Sequence, residues 1–303
     1  MMSKLVKGTL LTVIAGIAWG LSGGSGQYLM AHGFTALVLT NVRLLIAGGA
    51  MFILAFFTNK HEIQDLFRDK KALLSLGIFA ILGLLLNQFA YLMAIHETNA
   101  GTATVLQYLC PVLILAYTCV RKKIPPTPAE LVSMVLAVGG TFLIATHGQL
   151  DHLSMTPVGL FLGIFSAFTY ALYILVPIQL IQRFGSIVTI GVGMTFAGLV
   201  LTPFSGLTHF TWSTTLDMYL ALAGIVVVGT IIAYTLFLKG TSMVGAVKSS
   251  LLASVEPISA VFFAFLIMGE QFFAVDFLGM AMILGAVTLI SVGDLIKEKK
   301  KKG

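Results

Sequence analysis

Apolar segments of about 20 residues recur along the whole 303-residue chain, and only short polar connections separate them. A helix needs roughly 17–25 residues to span the hydrocarbon core of a bilayer. In lipid, a helix also satisfies its own backbone hydrogen bonds. The sequence therefore predicts an all-α transmembrane protein with ten helices, over residues 8–29, 36–57, 72–95, 100–120, 129–147, 157–178, 187–206, 217–238, 245–267 and 274–293.

The composition agrees with this class. Hydrophobic residues make up 58% of the chain and charged residues only 10%, whereas soluble domains carry about 25% charged residues. The first apolar segment follows Lys4 and Lys7 and so resembles a secretory signal peptide. It is too long for a signal core, however, and no clear small-residue cleavage site follows it, so we expect a retained helix.

Lysine and arginine concentrate in alternate connections between the apolar segments. If the N-terminus is cytoplasmic, the external loops contain no Lys or Arg; they lie near His32, His96, His147–His152, His209 and Glu270. The positive-inside rule then predicts that both termini face the cytoplasm, in the cell (cytoplasmic or inner) membrane. The basic tail, Lys297–Lys302, fits anionic lipid. We expect the bilayer and a small molecule as partners, no nucleic acid, and a monomer or homodimer.

Cysteine and histidine give no sign of a metal or redox centre. Cys110 and Cys119 lie nine residues apart in one predicted helix, on opposite faces, and so cannot pair with each other. The six histidines fall in loops or at helix ends without the spacing of metal ligands. We therefore expect no metal and no cofactor.

The two halves of the chain resemble each other. Cys110-Pro111 aligns with Glu256-Pro257, and Tyr91 aligns with Tyr234. Because five helices are an odd number, a second five-helix copy would lie upside down relative to the first, as the charge pattern also requires. Inverted repeats are frequent in secondary transporters, with the substrate site where they meet. The predicted architecture is two inverted-topology five-helix repeats around a central cavity, residues 1–150 and 151–303.

Short motifs recur in a characteristic order along the chain. They are Ala18-Trp19-Gly20, Asn41-Val42-Arg43-Leu44-Leu45, Pro111, Ser254-Val255-Glu256-Pro257 and Met268-Gly269-Glu270. In this order and spacing the chain resembles the EamA-like branch of the drug/metabolite transporter superfamily, over nearly its whole length. The resemblance implies a ten-helix metabolite transporter, often an exporter of amino acids or related small molecules. Any acidic role is asymmetric, since Cys110 stands where the second half has Glu256.

Two charged residues are predicted to lie deep in the membrane, where charges are costly and mark functional candidates. Glu256 lies about 16 Å from the inner surface and Arg43 about 10 Å from the outer surface, at 1.5 Å per helical residue. Glu256 could bind a substrate amine, carry a coupling proton or serve a structural role. Arg43 could hold a substrate carboxylate, but a structural role is favoured, by pairing with Glu256 or capping helix ends.

Neutral polar and aromatic side chains are the other candidates for a cavity lining. Asn87 and Tyr91 lie four residues apart on one predicted helix, and Tyr170 and Tyr173 belong to one stripe of another. The full set is Trp19, Asn87, Tyr91, Gln107, Tyr170 and Tyr173. Hydrogen bonding between helices is the alternative role for each of them. Gly23, Gly24, Pro111 and Pro257 are predicted helix breaks or hinges.

These features favour a secondary transporter of small polar metabolites that exports them by alternating access, with protons as a candidate coupling ion. The chain contains no nucleotide-binding loop. An importer or facilitator of organic cations, amines or nucleosides, or a channel-like pore, are the alternatives. A membrane enzyme would need paired catalytic groups facing one cavity, which the sequence does not offer.

Overall fold

A computed structural model describes residues 4–97, 100–146, 148–149, 156–211, 215–268 and 273–302 of the chain. All regular elements within these ranges are helical. In the first half they are α1 (Lys4–Ala31), α2 (Ala36–Thr58), α3 (Lys60–Arg68), α4 (Lys70–Glu97), α5 (Ala100–Gln107), α6 (Cys110–Lys122) and α7 (Pro128–Thr146). In the second half they are α8 (Pro157–Phe184), α9 (Ser186–Ser205), α10 (Leu216–Val244), α11 (Ala246–Leu252), α12 (Val255–Met268) and α13 (Ala274–Lys302).

Six of these helices are long and apolar enough to cross a membrane: α1, α2, α4, α8, α9 and α10. α7 and α13 contain shorter apolar stretches, over Pro128–Ile144 and Ala274–Leu289. The chain is thus a multi-pass membrane protein by length and composition of its helices. The predicted total of ten membrane-spanning helices stays a prediction.

Two of the predicted spans are interrupted well inside the span, whereas α8 is interrupted only at Val176 and Pro177, near the end of its predicted span. The span predicted over residues 100–120 is interrupted at Tyr108 and Leu109, between α5 and α6. The span predicted over residues 245–267 is interrupted at Ala253 and Ser254, between α11 and α12. Each break lies just before a proline, whose missing N–H removes the hydrogen bond to the carbonyl four residues earlier.

Two further local features depart from regular α-helix. α4 contains a π-helical segment over Phe79–Leu85, and α10 contains one over Gly224–Ile232. Such wide turns are rare and often occur at functional sites. The short amphipathic helix α3 was not predicted, because the sequence there is polar overall; it buries only Ile63 and Leu66.

The helices pack closely through small residues. A Cβ atom at Gly48 of α2 would lie 2.5 Å from the backbone nitrogen of Thr195 in α9. Gly140 of α7 and Gly279 of α13 approach each other in the same way, each within 2.7 Å of the other's carbonyl oxygen when a Cβ is added. Close backbone approach of this kind stabilises helix pairs in lipid, where apolar surface alone gives little preference.

α1 and α8 lie at the centre of the bundle. α1 packs mainly against α10 and α12, and α8 packs mainly against α4, α5 and α6. Each central helix therefore contacts elements of the other half of the chain. The functional side chains of both halves consequently face a common interior.

Candidate functional site

A cavity with about 680 Å³ of empty space, counting its mouth, lies between α1, α2, α4, α5, α8, α10 and α12. Its lining contains all eight side chains that the sequence predicts: Trp19, Arg43, Asn87, Tyr91, Gln107, Tyr170, Tyr173 and Glu256. The remaining lining residues are Ser22, Gly23, Gly26, Gln27, Gln88, Leu92, Ile95, Ile225 and Tyr234. The structure thus brings the predicted residues together, while their role in binding stays a prediction.

One hydrogen bond to another described residue positions the Arg43 side chain. Its Nε donates to Thr230 Oγ1 at 3.2 Å, and the Thr230 hydroxyl in turn donates to the carbonyl of Ile225 at 2.7 Å. Thr230 lies in the π-helical segment of α10 and is fully buried. The terminal nitrogens of Arg43 have no hydrogen-bond partner among the described residues, and Arg43 forms no ion pair with Glu256. The guanidinium therefore keeps its two-pronged donor face for an anion.

Glu256 lies in the first turn of α12, directly after the break at Ala253 and Ser254. Its Oε2 accepts a hydrogen bond from the Tyr108 hydroxyl at 3.1 Å. α6 likewise begins at Cys110, so two broken helices present their N-termini in the interior. Helix N-termini favour negative charge, and broken helices of this kind form binding sites in many transporters.

The wall on the side of α8 and α10 is a cluster of aromatic rings, here called the aromatic cluster. Its members are Trp19, Phe79, Tyr170, Tyr173, Tyr234 and Phe237. The Trp19 ring lies 4.8 Å from Phe237 and 5.7 Å from Tyr234, centroid to centroid. These separations are typical of favourable aromatic pairs. The cluster places aromatic rings on the same cavity as the two charged groups.

Three side chains of the cavity carry buried polar atoms without a hydrogen-bond partner in the described part of the chain. They are both amide atoms of Gln88 and the hydroxyl groups of Tyr170 and Tyr173. These side chains are 3%, 6% and 1% exposed, respectively. Buried polar groups in folded proteins are nearly always paired, so unpaired ones in a cavity indicate sites for a ligand.

The cavity points toward one end of the bundle. Its lining reaches Gln27 and Ile95, close to the C-terminal ends of α1 and α4. The other end, here called the basic end, carries Lys4, Lys70 and Arg183. Between the cavity and the basic end lie Phe79 and Phe237, both fully buried members of the aromatic cluster. The bundle is therefore closed on the basic side of the cavity.

An ion pair joins the two halves at the basic end. Asp69 accepts hydrogen bonds from the backbone N–H groups of Lys71 and Ala72 through Oδ1, and its Oδ2 contacts Arg183 of α8. The backbone N–H of Ala72 and the Arg183 guanidinium hold the pKa of Asp69 below its usual value. One carboxylate thus caps α4 and links it to α8.

The predicted breaks and hinges have different outcomes. Pro111 and Pro257 lie in the first turns after the two observed breaks. Gly23 lines the cavity and Gly24 does not, and α1 continues through both without interruption. A hinge at these glycines stays a prediction. Cys110 and Cys119 are both free thiols.

Some functional candidates were missed from the sequence. Tyr234 was aligned with Tyr91 but not selected, although that alignment was a usable signal. Gln88 is adjacent to Asn87 on the same helix. Tyr108 gave no signal, because its hydroxyl partner lies in the other half of the chain. The motif residues Gly269 and Glu270 lie outside the described residues.

The described part of the chain shows no cluster of potential metal ligands. Within the described ranges, no three His, Cys, Asp or Glu side chains come together in a way that could hold a metal ion. The chemistry of the cavity is therefore that of one cation, one carboxylate, hydroxyl and amide groups, and aromatic rings. Such a set can bind and orient a small polar molecule.

Comparison with known proteins identifies the class of protein that this fold and cavity define. The model of the EamA-like transporter family matches the chain twice, over residues 6–146 and 157–292. The chain belongs to this family, which confirms that part of the resemblance. Membership indicates transport as the activity rather than catalysis.

Individual relatives agree with this assignment. The chain is 38% identical over 296 residues to "Uncharacterized inner membrane transporter YicL" of Salmonella typhimurium, covering 96% of this chain and 97% of that protein. It is 24% identical over 291 residues to "Uncharacterized transporter YwfM" of Bacillus subtilis, covering 93% of each. A solved crystal structure shares the fold, with a TM-score of 0.75 over 94% of this chain and 96% of that chain, at 16% identity.

Proposed function

We propose that the chain is a secondary transporter of small polar metabolites, namely amino acids or related zwitterions, which it exports by alternating access. The observation that carries this proposal is the presence of Arg43 and Glu256 on one cavity without an ion pair between them. A carboxylate of the substrate fits the free donor face of Arg43, and an ammonium group fits Glu256. Export is the direction that the family resemblance implies.

The aromatic cluster supplies the third contact. An amino acid also carries a side chain, which packs against the rings of Trp19 and Tyr234 on the same cavity. A mainly apolar wall with a few placed polar groups is typical of small-molecule sites. The cavity therefore favours a zwitterion with an apolar or aromatic body.

The proposal includes ten spans arranged as two inverted repeats, with both termini in the cytoplasm. The double family match supports it, as do the helix breaks near Pro111 and Pro257 and the two π-helical segments, one of each per half. The charge pattern supports the orientation, and the name of the Salmonella relative, an inner membrane transporter, supports the inner membrane.

In this orientation the described cavity faces outward. Transport then requires the basic end to open, which separates Asp69 from Arg183 and displaces Phe79 and Phe237. A channel-like pore would need an uninterrupted path, and the aromatic cluster argues against one. Glu256 is the candidate carrier for a coupling proton, because it alone combines a carboxylate with a place on the cavity among the described lining residues.

Counterflow in proteoliposomes tests this function. The purified protein is reconstituted and loaded with one unlabelled compound of a panel of amino acids, amines and nucleosides, and uptake of the labelled compound is measured at several proton gradients. We expect exchange of amino acids. A panel in which no compound exchanges would sink the proposal.

Two substitutions test the assigned contacts. Arg43→Lys keeps the charge but loses the paired donors, so we expect the half-saturation concentration for zwitterions to rise about 10- to 100-fold. Arg121→Lys changes an exposed arginine of α6, which contacts Tyr117, and serves as the matched control. If both variants behave alike, Arg43 does not hold the substrate carboxylate. If Glu256→Gln remains pH-dependent, Glu256 does not carry the proton.

Organic cations are a second candidate, favoured because the Glu256 carboxylate lines the same cavity as the paired rings of Trp19 and Tyr170. Aromatic faces and a carboxylate together bind alkylammonium groups. Amines without a carboxylate do not need Arg43. If zwitterions are the substrates, Arg43→Gln should abolish exchange. If cations are the substrates, Arg43→Gln should leave exchange intact.

A further inference from the structure

One tyrosine of the first broken helix hydrogen-bonds to residues of the second. Tyr108 occupies the break between α5 and α6 and is 2% exposed. Its hydroxyl oxygen lies 2.9 Å from the carbonyl oxygen of Ala253 and 3.1 Å from Oε2 of Glu256. Ala253 occupies the other break, between α11 and α12. A single hydroxyl thus bridges a backbone carbonyl and a carboxylate across the two halves.

The Ala253 carbonyl is available to Tyr108 because of the sequence that follows it. In an α-helix this carbonyl would accept the N–H of residue 257, but Pro257 has none. The N–H of Glu256 approaches the carbonyl instead, at 2.9 Å. A carbonyl oxygen has two lone pairs, so one of them remains for the Tyr108 hydroxyl.

Counting protons shows that Tyr108 cannot satisfy both neighbours when Glu256 is ionised. A phenol carries one proton and an ionised carboxylate carries none. Tyr108 then donates either to Ala253 or to Glu256, and the charged acceptor wins because charge-assisted hydrogen bonds are stronger. When Glu256 is protonated, it donates to the Tyr108 oxygen, and Tyr108 donates to Ala253, which completes the chain.

We propose that Tyr108 is a positioning residue that couples the proton on Glu256 to the contact between the two helix breaks. With the proton bound, the hydroxyl joins the α5–α6 break to the Ala253 carbonyl. When the proton leaves, the hydroxyl turns to the carboxylate and releases that carbonyl. This inference rests on the proposed function, since it explains how binding of a coupling proton at Glu256 would change the contact between the two broken helices.

Other ionisable groups face the same region and do not take this role. They are Tyr91 of α4, Tyr170 of α8, Tyr234 of α10, Arg43 of α2 and Cys110 of α6. Within the described part of the chain, Tyr108 is the one that hydrogen-bonds to the Glu256 carboxylate. It is also the one that touches both breaks.

Infrared difference spectroscopy of the reconstituted protein tests the coupling without any substrate. The stretch of a protonated carboxyl group is followed as the pH changes, and the contribution of Glu256 is the signal that Glu256→Gln removes. Tyr108→Phe keeps the ring and removes the donor to the ionised carboxylate. We expect the midpoint of this signal to rise by about one pH unit. Tyr219→Phe, at the exposed start of α10, is the matched control and leaves the midpoint unchanged.

A second variant should shift the midpoint in the opposite direction. Pro257→Ala restores the N–H of residue 257, and this N–H competes with the Tyr108 hydroxyl for the Ala253 carbonyl. The Tyr108 hydroxyl is then free to donate to the ionised carboxylate. The midpoint should therefore fall, and Pro257→Ala should have no such effect in the Tyr108→Phe background. An unchanged midpoint in Tyr108→Phe, or shifts of the same sign in the two single variants, would overturn the inference.

Transport measurements separate this inference from the proposed function. If the infrared shifts occur but no compound of the panel exchanges, the bridge at Tyr108 stands and the transport proposal fails. If compounds exchange with a pH dependence that Tyr108→Phe leaves unaltered, transport stands and the coupling role of Tyr108 is wrong. We expect Tyr108→Phe to flatten the pH dependence of exchange while a half-saturation concentration remains measurable.

Discussion

The contact between α2 and α9 can be tested with two adjacent glycines of the same helix. A Cβ atom at Gly48 would lie 2.5 Å from the backbone nitrogen of Thr195 and 2.8 Å from the carbonyl carbon of Met194. A Cβ atom at Gly49 would have no atom within 4 Å. The pair therefore compares a methyl group forced against a backbone with the same methyl group in open space.

The magnitude follows from these distances. Both Gly→Ala changes gain the same helix propensity, about 1 kcal/mol, so the difference between the variants isolates the steric term. Overpacking typically costs about 1–3 kcal/mol. The obstacle at Gly48 is backbone, which cannot rotate away, so we expect the upper end of that range. Gly48→Ala should thus be less stable than Gly49→Ala by about 3 kcal/mol.

Reversible unfolding in mixed micelles of a mild detergent and sodium dodecyl sulfate measures this difference. Gly191→Ala provides a second probe of the contact, because its Cβ would lie 2.8 Å from the carbonyl carbon of Met51. The double variant should lose less free energy of unfolding than the two single variants together, because the first methyl group has already moved the helices apart. Equal free energies of unfolding for Gly48→Ala and Gly49→Ala would refute the packing described for α2 and α9.

Three other predictions concern separate parts of the molecule. Because the folded protein lowers the pKa of Asp69, the ionised carboxylate stabilises the fold above the usual aspartate pKa, and this stabilisation is lost as the pH falls through the lowered pKa. The difference in free energy of unfolding between wild type and Asp69→Asn should therefore stay constant from about pH 5 to pH 8 and disappear only in strong acid. A maleimide should label the half-buried Cys119 and leave the buried Cys110 unmodified, so Cys119→Ser, not Cys110→Ser, abolishes labelling measured by mass spectrometry. Trp19→Ala should lower the free energy of unfolding in mixed micelles by about 3–5 kcal/mol, and Trp19→Phe by clearly less, because Trp19 contacts four rings.

The lining of the cavity could be predicted from sequence because polar side chains are costly to expose to lipid. Asn87, Gln107 and Glu256 each stand in an apolar segment, and a polar group in such a segment must face the protein interior. Packing detail was not needed to decide that direction. The same reasoning selected Arg43, although the structure gives it Thr230 as a partner rather than Glu256.

Features that depend on contacts between distant residues could not be predicted. Tyr108 has an apolar ring, and the partner of its hydroxyl, Ala253, lies 145 residues later in the chain. Pro111 and Pro257 marked the two predicted helix breaks. In the structure the interrupted residues lie a few positions before each proline, because the carbonyl that loses its donor is four residues earlier, at Ala253 in the case of Pro257.

The unpaired atoms of Gln88, Tyr170 and Tyr173 determine what kind of molecule can displace water from the cavity. A polar substrate that reaches these groups can pair with them, whereas an apolar molecule of the same size leaves them without hydrogen bonds. Each group left unsatisfied in this way costs about 1–3 kcal/mol. The aromatic wall would attract apolar compounds, but the unpaired polar groups of these three side chains disfavour them. The cavity therefore selects by desolvation as much as by contact.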